Sequence, residues 1–296
     1  MYGEQPVRPY TGARVHVGGG RARLLVGAAP GVGMVAGRFS VISPGTERRH
    51  LAGTDREAGY MTLGRVSEAA GWVLAPVPHG AAFDPACPGA VTAPPGMDPG
   101  MVGLARFQQM ACLGLDRVPT DDLRDVVVVG SGPVALGCVL ELYRRGATGI
   151  RVVTGRRHAA IGRAPGVICV PPEDAGRGRL VIDAAGVPAS AATLTAPGGT
   201  LGLLGTPADG DALGALQVHR AGWSVVGVHE LAPAAEGAYQ AAFTTACHWL
   251  TGHLDPTLAA LWCRTLPGDK APELFALLDG PGRPAEPVLL LDWRTA

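Results

Sequence analysis

Val126-Val127-Val128-Val129-Gly130-Ser131-Gly132-Pro133-Val134-Ala135 is the stretch that decides the fold of this chain of 296 residues. Four successive valines predict a buried parallel strand, the glycines predict a tight turn, and the apolar run Val134–Tyr143 predicts a helix that begins at the turn. Glycine permits the sharp reversal and the close approach of a ligand, and the free N–H groups of the helix attract an anion. The pattern therefore predicts a pyrophosphate-binding site for a dinucleotide, formed by Gly130, Ser131, Gly132, Pro133 and Val134.

A second predicted strand, Ile150–Val153, leads to the residues that would read the adenosine ribose of the dinucleotide. That position lies about 25 residues beyond the first glycine of the turn and carries a carboxylate in sites that select NAD. Here Gly155 has no side chain, while Arg156 and Arg157 suit the 2′-phosphate of NADP. The alternative is that both arginines are solvated charges at a helix start, but cations there oppose the helix dipole and favour an anionic partner. We therefore predict NADPH/NADP as the cofactor.

Composition limits the other partners of the chain. Twenty-five cationic and 25 anionic residues balance to a formal net charge of zero, which predicts neither nucleic acid nor an anionic membrane as a partner. The six cysteines are scattered without a Cys-x-x-Cys pair, which argues against a zinc knuckle and a disulfide framework. With no signal-like segment and no apolar run of membrane-spanning length, we expect a cytoplasmic protein.

The apolar pattern predicts two regions of different character. Residues 1 to about 100 have short apolar runs between Gly- and Pro-rich turns, which is typical of irregular β-structure. A helix over Met101–Leu115 then leads into a β-α-β rhythm, which predicts an α/β fold with a doubly wound parallel sheet. Its six predicted strands are Val126–Val129, Ile150–Val153, Val167–Val170, Leu180–Asp183, Thr200–Gly205 and Trp223–Val228. Further along we predict a helix over Ala234–Leu250, a helix over Pro272–Leu278 and a strand over Val288–Asp292.

Several short motifs resemble, in order and spacing, those of the medium-chain dehydrogenase/reductase superfamily. Besides the glycine turn, they are Ile42-Ser43-Pro44-Gly45-Thr46-Glu47, Gly59-Tyr60-Met61-Thr62-Leu63-Gly64-Arg65-Val66, Ile182-Asp183-Ala184-Ala185-Gly186 and Gly198-Gly199-Thr200-Leu201-Gly202-Leu203-Leu204-Gly205. The resemblance implies a GroES-like partial barrel over residues 1–115, completed by about 254–296, and a Rossmann domain over 116–253. The barrel portion is shorter than is usual in the family. At the ends of the Rossmann strands, Ala184, Gly205 and Thr206 are further predicted cofactor contacts.

The chain departs from the family pattern where zinc-containing members hold their metal. Those members carry a Cys and a His-Glu pair at positions that here read Pro44, Tyr60 and Met61. Proline and methionine do not supply the donors that zinc takes, and tyrosine rarely does. The lobe of four cysteines that holds a structural zinc in many relatives is also missing. We therefore predict no metal.

Carbonyl reduction without zinc still needs a proton and a group that stabilises the developing alkoxide. The resemblance places Tyr60 where a zinc ligand would lie, so Tyr60 is the predicted hydrogen-bond donor or general acid, with Thr46 and Glu47 as relay or substrate contacts. The alternative, that Tyr60 only packs the barrel wall, stays open. We interpret Arg49 and His50 as a surface pair.

Two other polar residues receive structural interpretations. We interpret His79 as a turn residue held by neighbouring backbone, and Asp183 as a hydrogen-bond anchor at a strand end.

Together these features predict a zinc-independent, NADPH-dependent reductase or dehydrogenase. It would transfer hydride between NADP(H) and the carbonyl or alcohol of a small polar metabolite, for example a sugar- or aminocyclitol-type biosynthetic intermediate. An enoyl or quinone reductase and a non-catalytic nucleotide-binding relative are the alternatives. A methyltransferase that uses S-adenosylmethionine is disfavoured, because Gly155 replaces the acidic residue that would hold its ribose. The predicted partner is a small-molecule substrate, and a homodimer stays open.

Overall fold

A computed structural model describes residues 12–27, 30–118, 123–156, 159–207, 210–232, 234–278, 280 and 282–294. The chain divides into two compact units. The first unit comprises the described residues up to Gly103, together with Cys263–Pro284 and the residues from Val288 onward. The second unit comprises Leu104–Trp262 and Ala285–Pro287. Among the described residues, no helix is both long enough and apolar enough to cross a membrane.

The first unit opens with short strands and one helix. In chain order these elements are β1 (Ala13–Gly18), β2 (Arg21–Val26), β3 (Phe39–Ile42), α1 (Pro44–Ala52), β4 (Arg56–Glu57), β5 (Thr62–Gly64), β6 (Val73–Ala75) and β7 (Val91–Thr92). The next element, α2 (Pro99–Leu115), contains the division between the units.

The second unit alternates strands and helices, as the valine run and its successors predict. Its elements are β8 (Val126–Val129), α3 (Pro133–Arg144), β9 (Ile150–Val153), β10 (Val167–Val170), β11 (Gly178–Asp183), α4 (Pro188–Thr193), β12 (Thr195–Leu203), α5 (Ala215–Ala221), β13 (Ser224–Gly227), α6 (Ala238–His253) and α7 (Pro256–Trp262). The chain then returns to the first unit through β14 (Cys263–Pro267), α8 (Ala271–Leu277) and β15 (Val288–Asp292).

All six strands of the second unit are parallel and lie in the order β10-β9-β8-β11-β12-β13. Counted from β8 as the first strand, this is the order 3-2-1-4-5-6 of a Rossmann sheet. The connection from β8 leads toward one edge of the sheet and the connection from β11 leads toward the other. The crevice between these two strands is therefore the topological switch point, where open α/β sheets bind their ligands.

The first unit contains two β-sheets. Strands β2, β1 and β4 form an antiparallel sheet, and a mixed sheet has the order β14-β15-β3-β5-β6-β7, in which only β14 and β15 pair in parallel. Apolar side chains from β1, α8 and β15 form a shared core, among them Val15, Phe275 and Leu289. The predicted fold class, a doubly wound parallel sheet with a separate β-rich domain, is confirmed.

The division of the chain differs from the predicted boundaries at 115 and about 254. The second half of α2 belongs with α3, because Gly137 lies so close to the α2 backbone that a Cβ atom would be 2.3 Å from the carbonyl carbon of Phe107. Helix α7 stays in the second unit, where Trp262 Nε1 donates to the carbonyl of Ala160. The units therefore separate at Gly103 and at Trp262.

The start of helix α6 and the backbone at Arg156 differ from what the sequence suggested. Helix α6 begins at Ala238 rather than Ala234, because Gly237 has a φ of 74° and interrupts the helix there. Arg156 itself is not helical, and the first helical turn among the described residues after it is a short 3-10 segment, Ala160–Arg163. The positive charge of Arg156 is therefore what supports a phosphate beside it.

Candidate dinucleotide site and candidate proton donors

The glycine turn after β8 has the conformation that its sequence predicts. Gly130 has a φ of 114°, which side-chain-bearing residues rarely adopt, and a Cβ atom there would lie 3.2 Å from the Cβ atom of Ala185. Its N–H donates to the carbonyl of Val153 at 2.9 Å, so the turn is fixed to the end of β9. The turn between β8 and α3 therefore carries no side chain at Gly130, where it lies closest to Ala185.

Helix α3 points its N-terminus at this turn. Gly132 is the N-cap, Pro133 follows at the start of the helix, and no side chain caps the first turn. The N–H groups at the start of a helix have no partner within the helix, and the helix dipole adds positive charge there. The turn and helix start therefore fit the pyrophosphate of a dinucleotide, which needs N–H donors and a close backbone approach.

A chain of hydrogen bonds joins the glycine turn to the end of β9. Thr154 Oγ1 donates to Ser131 Oγ at 2.9 Å and accepts from the Arg156 N–H at 3.2 Å. Gly155 and Arg156 are exposed, and a Cβ atom at Gly155 would have no atom within 4 Å. Arg157, the other predicted phosphate contact, lies outside the described residues.

On the other side of the switch point, Asp183 anchors the turn that follows β11. Its Oδ1 accepts from the N–H groups of Ala185 and Gly186 at 3.0 and 2.9 Å. Burial raises the pKa of the Asp183 carboxyl above its usual range, although these backbone N–H groups favour the ionised form. The interpretation of Asp183 as a strand-end anchor is confirmed.

The turns after β11 and β12 pack against each other without side chains. A Cβ atom at Gly205 would lie 2.5 Å from the Gly186 nitrogen, and one at Gly186 would lie 2.2 Å from the Thr206 carbonyl oxygen. The N–H of Ala184 donates to the carbonyl of Val129 at 3.0 Å. The structure therefore brings the described cofactor candidates to one edge of the sheet: Gly130, Ser131, Gly132, Pro133, Val134, Gly155, Arg156, Ala184, Gly205 and Thr206.

A buried ion pair beyond β13 is a feature that sequence reasoning missed. Both guanidinium Nη atoms of Arg106 in α2 donate to the carboxylate of Glu230, and Arg106 Nη1 also donates to Gln109 Oε1 at 2.8 Å. The exposed His229 beside it uses Nδ1 to accept from the Leu231 N–H at 3.1 Å. The sequence indicates such a pair by placing an arginine within the apolar run of α2, because a buried guanidinium requires an anionic partner.

In the first unit, the predicted catalytic residues lie on α1 and on the segment before β5. Thr46 is half-buried in the first turn of α1, and its Oγ1 accepts from Ser43 Oγ at 3.3 Å. Glu47, one residue further along, is fully buried. Tyr60 is half-buried and follows Gly59, whose φ is 94°. The three candidates therefore differ in access to solvent, and Glu47 is the least accessible.

Glu47 is paired with a histidine. His79 Nε2 lies 3.0 Å from Glu47 Oε1, and both side chains are 0% exposed. The backbone N–H of His79 donates to the carbonyl of Ala58 at 2.9 Å, as expected for a turn histidine held by neighbouring backbone, but the buried carboxylate partner was not predicted.

The interpretation of Arg49 and His50 as a surface pair is only half right, because the two residues differ in burial. Arg49 is exposed, whereas the His50 side chain is only 20% exposed and its Nδ1 lies 4.0 Å from Glu47 Oε2. Burial, with a smaller contribution from Arg56, lowers the pKa of His50. His50 is therefore a partly buried neighbour of the Glu47 and His79 pair.

Comparison with known proteins identifies the fold but gives no sequence relative. No protein-family profile matches the chain, and no curated protein is similar to it in sequence. An alcohol dehydrogenase from Thermus sp. ATN1 has a TM-score of 0.73 at 16% identity, over 95% of this chain and 99% of that one. The chain has the medium-chain dehydrogenase/reductase fold.

Two other structures with this fold were solved with a nicotinamide cofactor. A protein described as a zinc-binding dehydrogenase of Sinorhizobium meliloti 1021, bound to NADP, has a TM-score of 0.69 at 17% identity, covering 95% of this chain and 98% of that one. A protein described as a short chain alcohol dehydrogenase from Escherichia coli CFT073, complexed with NADH, has a TM-score of 0.65 at 16% identity, with the same coverage. At these identities the likeness extends to the fold.

Pro44, Tyr60 and Met61, which the resemblance aligns with zinc ligands, differ in burial. Pro44 is buried as the first residue of α1, and Met61 is fully buried beside the half-buried Tyr60. Within the described parts of the chain, no group of three or more His, Cys, Asp or Glu side chains is arranged to hold a metal ion.

Proposed function

We propose that the protein is a zinc-independent, NADPH-dependent oxidoreductase that acts on a carbonyl or alcohol group of a small polar metabolite. The observation that carries this proposal is the glycine turn, with Gly130 at a φ of 114° before the open N-terminus of α3 at the switch point of the sheet. The dehydrogenase fold and the neighbours solved with NADP and NADH support it. When bound, the nicotinamide supplies or accepts the hydride.

The residues of the second unit would bind the cofactor through its phosphates. N–H groups at the start of α3 would donate to the pyrophosphate, and the absence of side chains at Gly130 and Gly132 allows the phosphates to approach the backbone. The Thr154 hydroxyl fixes Ser131 relative to the end of β9. Ala184, Gly205 and Thr206 would border the nicotinamide end of the cofactor.

The preference for NADPH rests on Gly155 and Arg156. A carboxylate at the end of β9 would accept from the ribose hydroxyls and repel a 2′-phosphate, and Gly155 supplies none. Arg156 is exposed next to it and is available for charge-assisted hydrogen bonds to the phosphate. Arg157 is proposed as a second contact from its sequence position alone.

The first unit would supply the proton. We assign the role of hydrogen-bond donor or general acid to the Tyr60 hydroxyl, since proline and methionine occupy the other two ligand positions. Thr46, which is half-buried and bonded to Ser43, would contact the substrate or orient the donor. Two side chains that carry hydroxyl groups suit a hydroxylated substrate, of sugar or aminocyclitol type, better than an apolar enone.

Turnover assays with NADPH test the proposal and separate it from its alternatives. The purified protein is mixed with NADPH and a panel of polyhydroxylated ketones, enones and quinones, and NADPH oxidation is followed by absorbance. We expect oxidation with ketones and, in the reverse direction, NADP reduction with the matching alcohols. Turnover of enones or quinones alone would identify an enoyl or quinone reductase. NADPH binding without any turnover would identify a nucleotide-binding relative.

A further inference from the structure

Glu47 and His79 form a pair that is entirely removed from solvent. The Nε2 and Oε1 atoms are 3.0 Å apart, both side chains are 0% exposed, and the residues are 32 positions apart in the chain. An imidazole and a carboxylate that lose their water must bond to each other, because burying either one alone is costly. A side chain with no exposed surface is poorly placed to contact a substrate. We therefore consider which residues the pair packs against.

The ring of His79 packs directly against the backbone of Gly59. A Cβ atom at Gly59 would lie 2.6 Å from His79 Cγ and 2.7 Å from His79 Cδ2, and Gly59 has a φ of 94°. The His79 N–H also donates to the carbonyl of Ala58 at 2.9 Å. Two successive residues before Tyr60 are therefore held against one histidine.

The turn that carries His79 is fixed on its other sides. Thr62 Oγ1 donates to the carbonyl of Pro78 at 2.8 Å, and Arg14 Nη1 donates to the carbonyl of Gly80 at 2.8 Å. The ring of Phe275 meets the His79 ring edge to face, with the ring centres 6.1 Å apart. These contacts thus fix the backbone position of His79, and the bond to Glu47 fixes the orientation of its ring.

We propose that Glu47 and His79 are positioning residues for Tyr60. Glu47 holds the His79 ring, the ring determines the path of the chain at Gly59, and that path determines where the Tyr60 hydroxyl lies. Neither residue touches the substrate or carries its proton. This inference rests on the proposed role of Tyr60 for its effect on turnover, but its structural part stands separately and is tested separately.

Two substitutions at Glu47 form a matched pair that differs in whether the new side chain can accept a hydrogen bond from His79. Glu47→Gln keeps an oxygen that accepts from His79 Nε2, whereas Glu47→Met keeps a similar length without an acceptor. His79→Gln is a second route to the same loss, because it keeps an N–H donor but removes the ring on which Gly59 packs. His16→Gln is the control, since His16 also faces a glutamate in the first unit, Glu57, at 3.7 Å.

The first measurement follows Tyr60 itself, without substrate. The chain has five tyrosines, so labelling with 3-fluorotyrosine gives at most five fluorine resonances, and Tyr60→Phe assigns one of them by its loss. We expect that resonance to shift or broaden in Glu47→Met and His79→Gln. It should stay in place in Glu47→Gln and His16→Gln. The resonances of Tyr143 and Tyr239, in the second unit, should not move in any variant.

The second measurement is turnover with NADPH. Misplacing a catalytic group by about 1 Å can cost about 100-fold in rate, so Glu47→Met should lower kcat by about 10-fold to 100-fold, with NADPH affinity within about twofold of wild type. Glu47→Gln should stay within about threefold. In a Tyr60→Phe background, Glu47→Met should cause no further loss, because residues that act through one another are not additive.

Four outcomes decide the inference. An unmoved Tyr60 resonance in folded Glu47→Met and in folded His79→Gln would overturn it. Equal losses of kcat in Glu47→Gln and Glu47→Met would also overturn it, because Glu47 would then be carrying a proton. A further loss from Glu47→Met in the Tyr60→Phe background would do the same. Full activity in Tyr60→Phe, with the expected resonance shifts, would support the positioning inference and refute the proposed role of Tyr60.

Discussion

The Thr154 hydroxyl donates a hydrogen bond to the Ser131 hydroxyl across 2.9 Å, and this contact joins the end of β9 to the glycine turn after β8. Thr154→Val keeps the shape of the side chain but removes this bond and the one that Thr154 Oγ1 accepts from the Arg156 N–H. Each neutral hydrogen bond contributes about 1 kcal/mol, so we expect NADPH affinity to fall by about fivefold or more. Fluorescence titration measures it, and Thr154→Ser, which keeps the hydroxyl, should bind like wild type. Equal affinity for Thr154→Val would show that neither bond of the Thr154 hydroxyl shapes the cofactor site.

Cofactor preference should depend on the two residues after Thr154. Charge-assisted bonds contribute about 1.5–3 kcal/mol, so Arg156→Ala should weaken NADPH binding by about tenfold or more and leave NADH binding nearly unchanged. Gly155→Asp should shift the preference toward NADH, and the Cβ atom it introduces has open space. Gly155→Asn, of the same shape but uncharged, is the control. If the wild-type protein binds NADPH and NADH equally, the assignment of the 2′-phosphate to these residues is wrong.

Loss of the Tyr60 hydroxyl should lower turnover without changing the fold or NADPH affinity. Removing a positioned acid costs about 100-fold to 10,000-fold in rate, and we expect Tyr60→Phe to lower kcat by about 100-fold. The ring still packs, so the fold and NADPH affinity should be preserved. Thr46→Val should cost less if Thr46 only orients the donor. Unchanged kcat in Tyr60→Phe would make Tyr60 a packing residue, and the proton would have to come from elsewhere.

We expect the purified protein to hold no stoichiometric zinc. The resemblance aligns Pro44, Tyr60 and Met61 with the three ligand positions of zinc-containing members, and neither proline nor methionine supplies a donor that zinc takes. Elemental analysis of the purified protein measures the metal content directly. One tightly bound zinc per chain would contradict the prediction, and so would activity that is lost on chelation and regained only with zinc.

Asp183 should make the stability of the protein depend on pH. Burial raises the pKa of its carboxyl, so between the unfolded and folded pKa values the native state binds more protons than the unfolded state. The free energy of unfolding that Asp183 contributes therefore falls as pH rises through the folded pKa. Asp183→Asn keeps an acceptor oxygen and does not titrate.

We expect Asp183→Asn to gain stability relative to wild type as pH rises from about 4 toward neutral. Urea unfolding at several pH values measures the difference. Asp174→Asn, at an exposed carboxyl of the same unit, controls for the loss of one negative charge. A constant difference between Asp183→Asn and wild type across this range would show that Asp183 keeps its usual pKa.

The sequence predicted the sheet of the second unit well, because its strands are rich in β-branched residues. The bounds of β8, β9 and β10 match the predicted ranges. The predicted starts of β11 and β12 were too late, because β11 begins with Gly178 and β12 includes Gly198 and Gly199, which carry no strand signal. Helix α1 was not predicted at all. It begins with Pro44 and Gly45, which read as a turn.

The candidate site was predictable only in part. The candidate cofactor residues follow from a local rule, in which strand ends meet at one edge of a parallel sheet. The pair of Glu47 and His79 follows no local rule, because 32 residues separate the partners and no periodicity connects them. Both side chains are polar, and hydropathy alone assigns such residues to the surface. Only the three-dimensional path of the chain before Tyr60 shows that they meet.

The burial of Met61 limits which substitutions this position tolerates. Its side chain is fully buried, so replacing it with the glutamate of zinc-containing members would put an unpaired carboxylate into the apolar interior. Met61→Glu alone would therefore cost stability before any metal could bind and offset that cost. A metal site that used residue 61 would need a compensating substitution beside it first.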